Sequence, residues 1–370
     1  MGNESWFNVD IKVEHLALQE SGVDTLIVNL FQGVTSPGGA TGALDTALSG
    51  AISELIEQGD LKGKLGEVAV VYPRGAIVAK RVLVVGLGEQ ASFDLEEVRK
   101  ASAAALQRAA KLGAKHVATI VHGGGIGGLN VNEAAQATAE GALLTLYQFD
   151  SYKKVEAVGV ESLSLVEVDE SKLADVEVGA NAAKAIAEGV YLARDLVNMP
   201  PNIATPSKLA QTATELAETH GLGLTVGDRF WAQERDMGAF LAVAKGAGEE
   251  PKFIVLEHNA DKEDLETVVL VGKGVTFDTG GISIKSSAGM PSMKSDMGGA
   301  AAVLGAMKAV AELELPLRVI GITPATENMP DANAYRPSDV IEASNGKTIE
   351  IISTDAEGRM ILADALVYAK

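Results

Sequence analysis

Short runs of β-branched residues alternate with alanine-rich stretches of helical spacing, and this alternation confines the chain to layered α/β folds. Thr25–Leu30, Glu67–Tyr72 and Arg81–Gly86 read as buried strands, whereas Gly42–Gln58 and Leu95–Leu112 place apolar residues at helical intervals with charges between them. Such an order stacks helices on a sheet with some parallel pairing. At 370 residues the length suits about two domains, each able to bury a core without staples. A long helical stretch around Asp175–Leu196 ends at Asn198-Met199-Pro200-Pro201-Asn202, where two prolines forbid its continuation. Thr205-Pro206-Ser207 then restarts a helix, with Thr205 as its N-cap and Pro206 at its first position. The expected organisation is an N-terminal α/β domain over 1–170, a linker helix and Pro-Pro break over 171–200, and a second α/β domain over 201–370.

Two features of composition exclude whole classes of function. The chain has no Cys, which removes disulfide frameworks, thiolate zinc sites and cysteine nucleophiles together. Lys and Arg number 31 against 50 Asp and Glu, a formal charge of −19, so nucleic acid and anionic membranes would be repelled over most of the surface. The acids are spread through helical stretches such as Leu95-Glu96-Glu97 and Glu215-Leu216-Ala217-Glu218, as on a solvated face. Met1-Gly2-Asn3-Glu4-Ser5-Trp6 has no basic or apolar leader character, and Trp6 stands where a myristoylation motif needs Ser or Thr. No apolar stretch reaches the roughly 18 residues that span a bilayer. The chain reads as a cytoplasmic globular protein with no membrane or nucleic-acid partner.

Three patterns look like sites and are set aside. Gly123-Gly124-Gly125-Ile126-Gly127-Gly128 formally fits G-x-G-x-x-G after the strand Val117–Val121. A glycine-only run matches that pattern cheaply, and no second strand with a suitably placed acid is read after it, so it is taken as a flexible surface loop. Gly346-Lys347-Thr348 resembles the end of a P-loop, but the first glycine of that motif would fall at Ile341. The five histidines (His15, His116, His122, His220 and His258) are scattered, without H-E-x-x-H spacing.

Chemistry concentrates in two later segments. The apolar strand Val268–Gly272 runs into Lys273-Gly274-Val275-Thr276-Phe277-Asp278-Thr279-Gly280-Gly281, delivering a Lys and an Asp to a glycine-rich sheet edge. Lys285 follows, then Asp296 before Met297-Gly298-Gly299-Ala300, where an acid also suits a helix cap. Thr348–Arg359 reads as a strand followed by Asp355 and Glu357. Residues two apart in extended backbone share a face, so these carboxylates are expected to converge, with Arg359 on the same parity. Adjacent carboxylates repel unless they share a proton or bind a cation. Four carboxylates (Asp278, Asp296, Asp355 and Glu357) are enough oxygen ligands for a pair of divalent ions. Lys273 could join them only as a neutral amine.

Lys273-Gly274-x-x-x-Asp278-Thr279-Gly280-Gly281, Lys285, Met293-Lys294-x-Asp296-Met297-x-Gly299-Ala300 and Thr354-Asp355-Ala356-Glu357-Gly358-Arg359 resemble the leucyl aminopeptidase family, the cytosol aminopeptidases. Ser353 and Met360 stand where the family usually has Asn and Leu. The likeness extends to Arg194–Asn202 and, more loosely, to Arg81–Gly88. It implies a C-terminal α/β/α metallo-exopeptidase domain with a mixed central sheet. It also implies a site with two divalent metals, zinc and/or manganese. One would be held by Lys273, Asp278, Asp296 and Glu357, the other by Asp278, Asp355 and Glu357, with a water or hydroxide between them. Lys285 would polarise the peptide carbonyl, and Arg359 would hold a bicarbonate that relays the proton. The implied substrate is a peptide with a free N-terminus, leucine and similar residues preferred. The implied assembly is a homohexamer.

Lys370 falls inside the helix read over Arg359–Tyr368, while the family's catalytic domain continues further. The chain is therefore read as C-terminally truncated, without the floor of the specificity pocket and much of the trimer contact. A metal-binding or assembly module without turnover is the alternative function. A two-metal phosphatase is a weaker competitor, because only Arg359 lies near the acids to bind phosphate.

Overall fold

A computed structural model describes residues 9–152 and 159–370. The chain forms two compact units that divide between Ala187 and Glu188.

The first unit contains strands β1 (Asp10–His15), β2 (Thr25–Phe31), β3 (Val68–Val71), β4 (Arg81–Gly88), β5 (His116–Ile120) and β6 (Ser162–Glu167). Its helices are α1 (Gly39–Ala47), α2 (Ala51–Glu57), α3 (Leu95–Lys111), α4 (Val131–Leu144) and the first part of α5 (Leu173–Asn198). The sheet order is β1-β6-β5-β2-β4-β3, parallel throughout except for the antiparallel edge strand β3. Alternate residues of β2 serve opposite faces. Leu26, Val28 and Leu30 pack with Leu44 and Ile52, while Ile27 and Phe31 pack with Ala101, Ala105 and Leu106 of α3. This two-sided burial explains why the strand reads as a continuous apolar run.

Two local expectations are corrected in this unit. The stretch read as one helix over Gly42–Gln58 is two helices, because Ser49 (φ 56°) and Gly50 (φ 86°) are left-handed and break the hydrogen-bond ladder. The glycine run after β5 is packed rather than loose. A Cβ on Gly123 or Gly127 would strike the Phe93 ring at 2.8 and 2.9 Å, respectively, so these glycines permit close approach.

The second unit begins within α5 and contains α6 (Pro206–His220), β7 (Gly223–Gly227), α7 (Arg229–Gln233), α8 (Gly238–Val243) and β8 (Lys252–His258). It continues through β9 (Thr267–Val271), β10 (Gly274–Asp278), α9 (Gly298–Glu312), β11 (Arg318–Asn328), β12 (Val340–Glu342), β13 (Thr348–Glu350) and α10 (Glu357–Tyr368). As its Thr-Pro-Ser start implies, α6 is capped by Thr205, which accepts a hydrogen bond from the Lys208 amide, with Pro206 in its first turn. The long strand β11 organises a mixed sheet. It pairs parallel with β9 and then β10 along one edge, and antiparallel with β8 on the other, which carries β7. Helices α6 and α9 cover one face through Leu209, Leu216, Ala300 and Leu304. Helices α8 and α10 cover the other through Phe240, Val243, Ile361 and Ala365. The result is an α/β/α layer structure.

The edge facing β11 breaks at Gly272–Lys273, between β9 and β10. A Cβ on Gly272 would lie 2.3 Å from the Gly299 carbonyl oxygen, so only glycine lets α9 approach this closely. The Ala300 amide donates to the Lys273 carbonyl at 2.8 Å, which anchors the backbone from which the Lys273 side chain projects.

Candidate metal centre

The C-terminal ends of β10 and β11, the 3₁₀ turns Met290–Ser295 and Thr354–Ala356, and the start of α10 meet in one place. Asp278 is the last residue of β10 and Asn328 the last of β11, and they are register partners across a shift in the pairing. Carboxylate oxygens of Asp278, Asp355 and Glu357 lie within 4.8 Å of one another. Asp278 and Glu357 are both 2% exposed, whereas Asp355 is open to solvent.

Two ammonium groups answer these charges. Lys273 Nζ lies 2.7 Å from Asp296 Oδ2 and 2.6 Å from Glu357 Oε1. Lys285 Nζ lies 3.0 Å from Asp278 Oδ2 and also contacts Asp355 Oδ1. Burial acts to lower both lysine pKa values, yet hydrogen bonds to the paired acids outweigh it and hold both above the usual range. Burial raises the Asp296 carboxyl against the opposing pull of Lys273.

The structure departs from the sequence expectation at two points. Thr354–Ala356 is a 3₁₀ turn and Glu357 opens α10, so Asp355 and Glu357 do not converge along a strand. Helical curvature brings them together, and β13 ends at Glu350. Asp296 does not cap α9, whose N-cap is Met297 without a side-chain bond. Its carboxylate turns instead to Lys273. Arg359 lies on the exposed first turn of α10 and forms no ion pair among the described residues.

Three groups not singled out from the sequence complete the cluster. Asn328, buried at 1% exposure, donates from Nδ2 to Asp278 Oδ1 at 2.8 Å and to the Thr354 carbonyl at 3.0 Å, and reaches Glu357 Oε2 at 3.5 Å. The Tyr335 hydroxyl donates to the same Thr354 carbonyl at 2.9 Å. Its pKa is raised by burial and by the neighbouring Glu357, Asp278 and Asp355 charges. Gly358 leaves room for Lys273, since a Cβ there would lie 2.9 Å from Lys273 Cδ and 3.0 Å from Nζ. A signal for Asn328 did exist: Thr326-Glu327-Asn328 is a polar cluster ending an apolar strand, the same pattern that drew attention to Asp278.

The residues present suit divalent cations. Their donors are hard carboxylate oxygens, two of them almost fully buried, and such charges need cationic partners. In this arrangement the lysines supply them.

The cytosol aminopeptidase family, catalytic domain, matches residues 191–370, and that family's N-terminal domain matches residues 27–156. A probable cytosol aminopeptidase of Alkaliphilus oremlandii is 41% identical over 362 residues, covering 97% of this chain and 72% of the relative. The chain belongs to the cytosol aminopeptidase family. The cytosol aminopeptidase of Pseudomonas aeruginosa is 42% identical, covering 90% of this chain and 68% of its own length. Among solved structures, a tomato leucine aminopeptidase variant superimposes with a TM-score of 0.83 at 34% identity, covering 98% of this chain and 71% of that one. The bottromycin maturation enzyme BotP in complex with Mn gives a TM-score of 0.78 at 36% identity, covering 94% and 69%. Family membership makes the chain a metal-dependent aminopeptidase-type hydrolase acting on peptides. No helix among the described residues is long and apolar enough to cross a membrane.

Proposed function

We propose that this chain removes the N-terminal residue from peptides at a two-metal centre, with leucine and similar residues preferred. The observation that carries the proposal is the convergence of Asp278, Asp355 and Glu357 oxygens within 4.8 Å, flanked by Lys273 and Lys285. Lys273, Asp278, Asp296 and Glu357 would hold one ion, and Asp278, Asp355 and Glu357 the other. Zinc and manganese both suit the oxygen-rich donor set. When bound, the ions supply an activated water and Lewis-acid polarisation of the scissile carbonyl.

The chain's own groups divide the remaining work. Lys285 pairs with Asp278 and Asp355, which raise its pKa, and its role in this reading is that of a fixed cation opposite a developing oxyanion. Lys273 must lose its proton to become a ligand, so ion binding at Asp296 and Glu357 releases a proton. Asn328 orients Asp278 and lies within reach of Glu357. Arg359, exposed and without an ion pair among the described residues, would hold a bicarbonate, which would supply a proton relay.

We assign the chemistry to residues 201–370, an assembly role to residues 1–170, and the connection to the linker over 171–200. A homohexamer in the cytoplasm, without membrane or nucleic-acid partners, fits the acidic charge. Elemental analysis of protein loaded with Mn or Zn tests the centre: two ions per chain are expected, with loss on Asp355→Ala. A single ion whose binding is indifferent to Asp355 would overturn the two-metal reading.

A further inference from the structure

The glycine run after β5 lines a cavity of about 450 Å³ in the first unit, unrelated to the carboxylate cluster. The walls come from the C-terminal ends of β2, β5 and β6 and from the loop leading into α1. Their position in the sheet is telling. β2 and β5 are parallel neighbours, but the chain leaves β2 through α1 toward β4 on one side, and leaves β5 through α4 toward β6 on the other. The two exits diverge and open a crevice at the carboxyl ends of the strands, which is where open α/β sheets bind ligands. The volume is that of a small-molecule pocket.

The lining sorts into three chemistries. Leu18, Leu30 and Val166 share one face of the sheet, with Ile120 and Val34 packed against them and the exposed Ile126 on the glycine loop, and give an apolar wall for a flat ring. The loop offers backbone donors: Leu129 and Gly128 amides bond back to Gly123 and Gly125, while those of Gly124, Gly125, Ile126 and Gly127 have no protein acceptor among the described residues. Lys172, paired with Asp169 at 3.6 Å, lies on the same cavity. The third element is an acid on the neighbouring strand. β6 pairs parallel beside β5, follows it through α4, and ends at Glu167. Glu167 Oε1 accepts from the Val168 and Asp169 amides at 2.8 and 2.9 Å, which fixes the carboxylate and leaves Oε2 to accept from a ligand. Opposite it, Asn29 Nδ2 is tied to His122 Nδ1 at 2.9 Å, so its carbonyl oxygen is left for the cavity.

We propose that this crevice binds a nucleoside phosphate, with the base on the apolar wall, a ribose hydroxyl on Glu167 and the phosphate on the glycine-loop amides. Strand, glycine loop, helix and acid-ended parallel strand follow one another in the order of a nucleotide-binding βαβ unit, with Glu167 reached 39 residues after Gly128, through a longer connection than the usual one of about 20. The site is separate from the peptide-cleaving centre and would give that enzyme a nucleotide-responsive domain.

Calorimetric titration of the full metal-loaded chain with ADP tests the proposal, with adenosine and inorganic phosphate as separate ligands. The expected result is one ADP per chain with micromolar affinity, with adenosine and phosphate each much weaker. Asp355→Ala, which disturbs the metal centre, should leave ADP binding unchanged. Gly125→Val should weaken it roughly tenfold or more. Gly125 is not left-handed, a Cβ there meets nothing within 4 Å, and the residue lines the crevice, so this variant is expected to keep the fold while crowding the cavity. Glu167→Gln should weaken ADP and adenosine alike and leave phosphate unaffected. Absence of ADP binding at millimolar concentration, equal affinity for adenosine and ADP, or binding that survives Gly125→Val but fails with Asp355→Ala would each overturn the proposal.

Discussion

Asn328 donates a side-chain N–H to Oδ1 of Asp278 at 2.8 Å across the β10–β11 pair, with both groups almost wholly buried. A buried carboxylate is costly without donors, and Asn328 supplies one to Asp278 while reaching toward Glu357. Asn328→Ala is expected to destabilise the chain by about 1–3 kcal/mol by leaving these acceptors unpaired. It should also weaken metal binding roughly 10- to 100-fold, the usual cost of removing a group that orients a ligand. Chemical denaturation and metal titration of the same variant separate the two effects.

Gly358 makes a sharper prediction. An alanine Cβ there would press on Cδ, Cε and Nζ of Lys273, the movable end of a flexible side chain. Gly358→Ala should therefore cost under about 1 kcal/mol in stability, as Lys273 swings away and the better helix propensity of alanine offsets part of the strain. The displaced amine can no longer serve the site, so metal-dependent hydrolysis should fall steeply while the unfolding midpoint hardly moves. Paired thermal melts and rate measurements check this.

Lys285 contacts two acids but, in our reading, acts on the substrate. Lys285→Ala should lower kcat by roughly 10²–10³, the range for loss of an oxyanion-stabilising donor. Metal content should be retained. A fall in metal occupancy equal to the fall in rate would make Lys285 a structural counter-ion instead.

His122 governs the acid stability of the first unit. Burial lowers its pKa from 6.5 to about 4, so the folded chain holds it neutral while the unfolded chain protonates it near 6.5. Between those values the unfolded state binds more protons, and stability falls as pH drops from 6.5 toward 4. The loss approaches about 3 kcal/mol at the acid end, at 1.36 kcal/mol per unit. In His122→Gln this portion of the pH slope should vanish, which urea titrations at a series of pH values will show.

Charged groups that end an apolar or glycine-rich run are legible in the sequence, whereas the contacts that strand pairing assembles around them are not. Asp278, Asp296, Asp355 and Glu357 stand out because each polar group follows an apolar or glycine-rich run, and the layered α/β architecture is visible in the period of β2 and α3. Asn328 carries the same local signal as Asp278, a polar group ending an apolar strand, but its role is visible only once strand pairing brings it to Asp278, 50 residues away. The convergence of Asp355 and Glu357 was expected for the wrong reason: a short polar stretch carries no periodicity to separate a 3₁₀ turn from a strand. Glu167 was hidden for the same reason as Asn328, since α4 and a long connection separate it from the glycine run.

The central claim is that the clustered carboxylates make this chain a peptidase that needs a free amine. Hydrolysis of leucine p-nitroanilide by the purified chain with added Mn or Zn tests it most directly, alongside Asp355→Ala, the N-acetylated substrate and p-nitrophenyl phosphate. The account predicts release that requires metal, Asp355 and the free amine, with no action on the phosphate ester. A folded, metal-loaded chain that releases nothing from the anilide, or that cleaves the acetylated or phosphate substrate equally well, would contradict it.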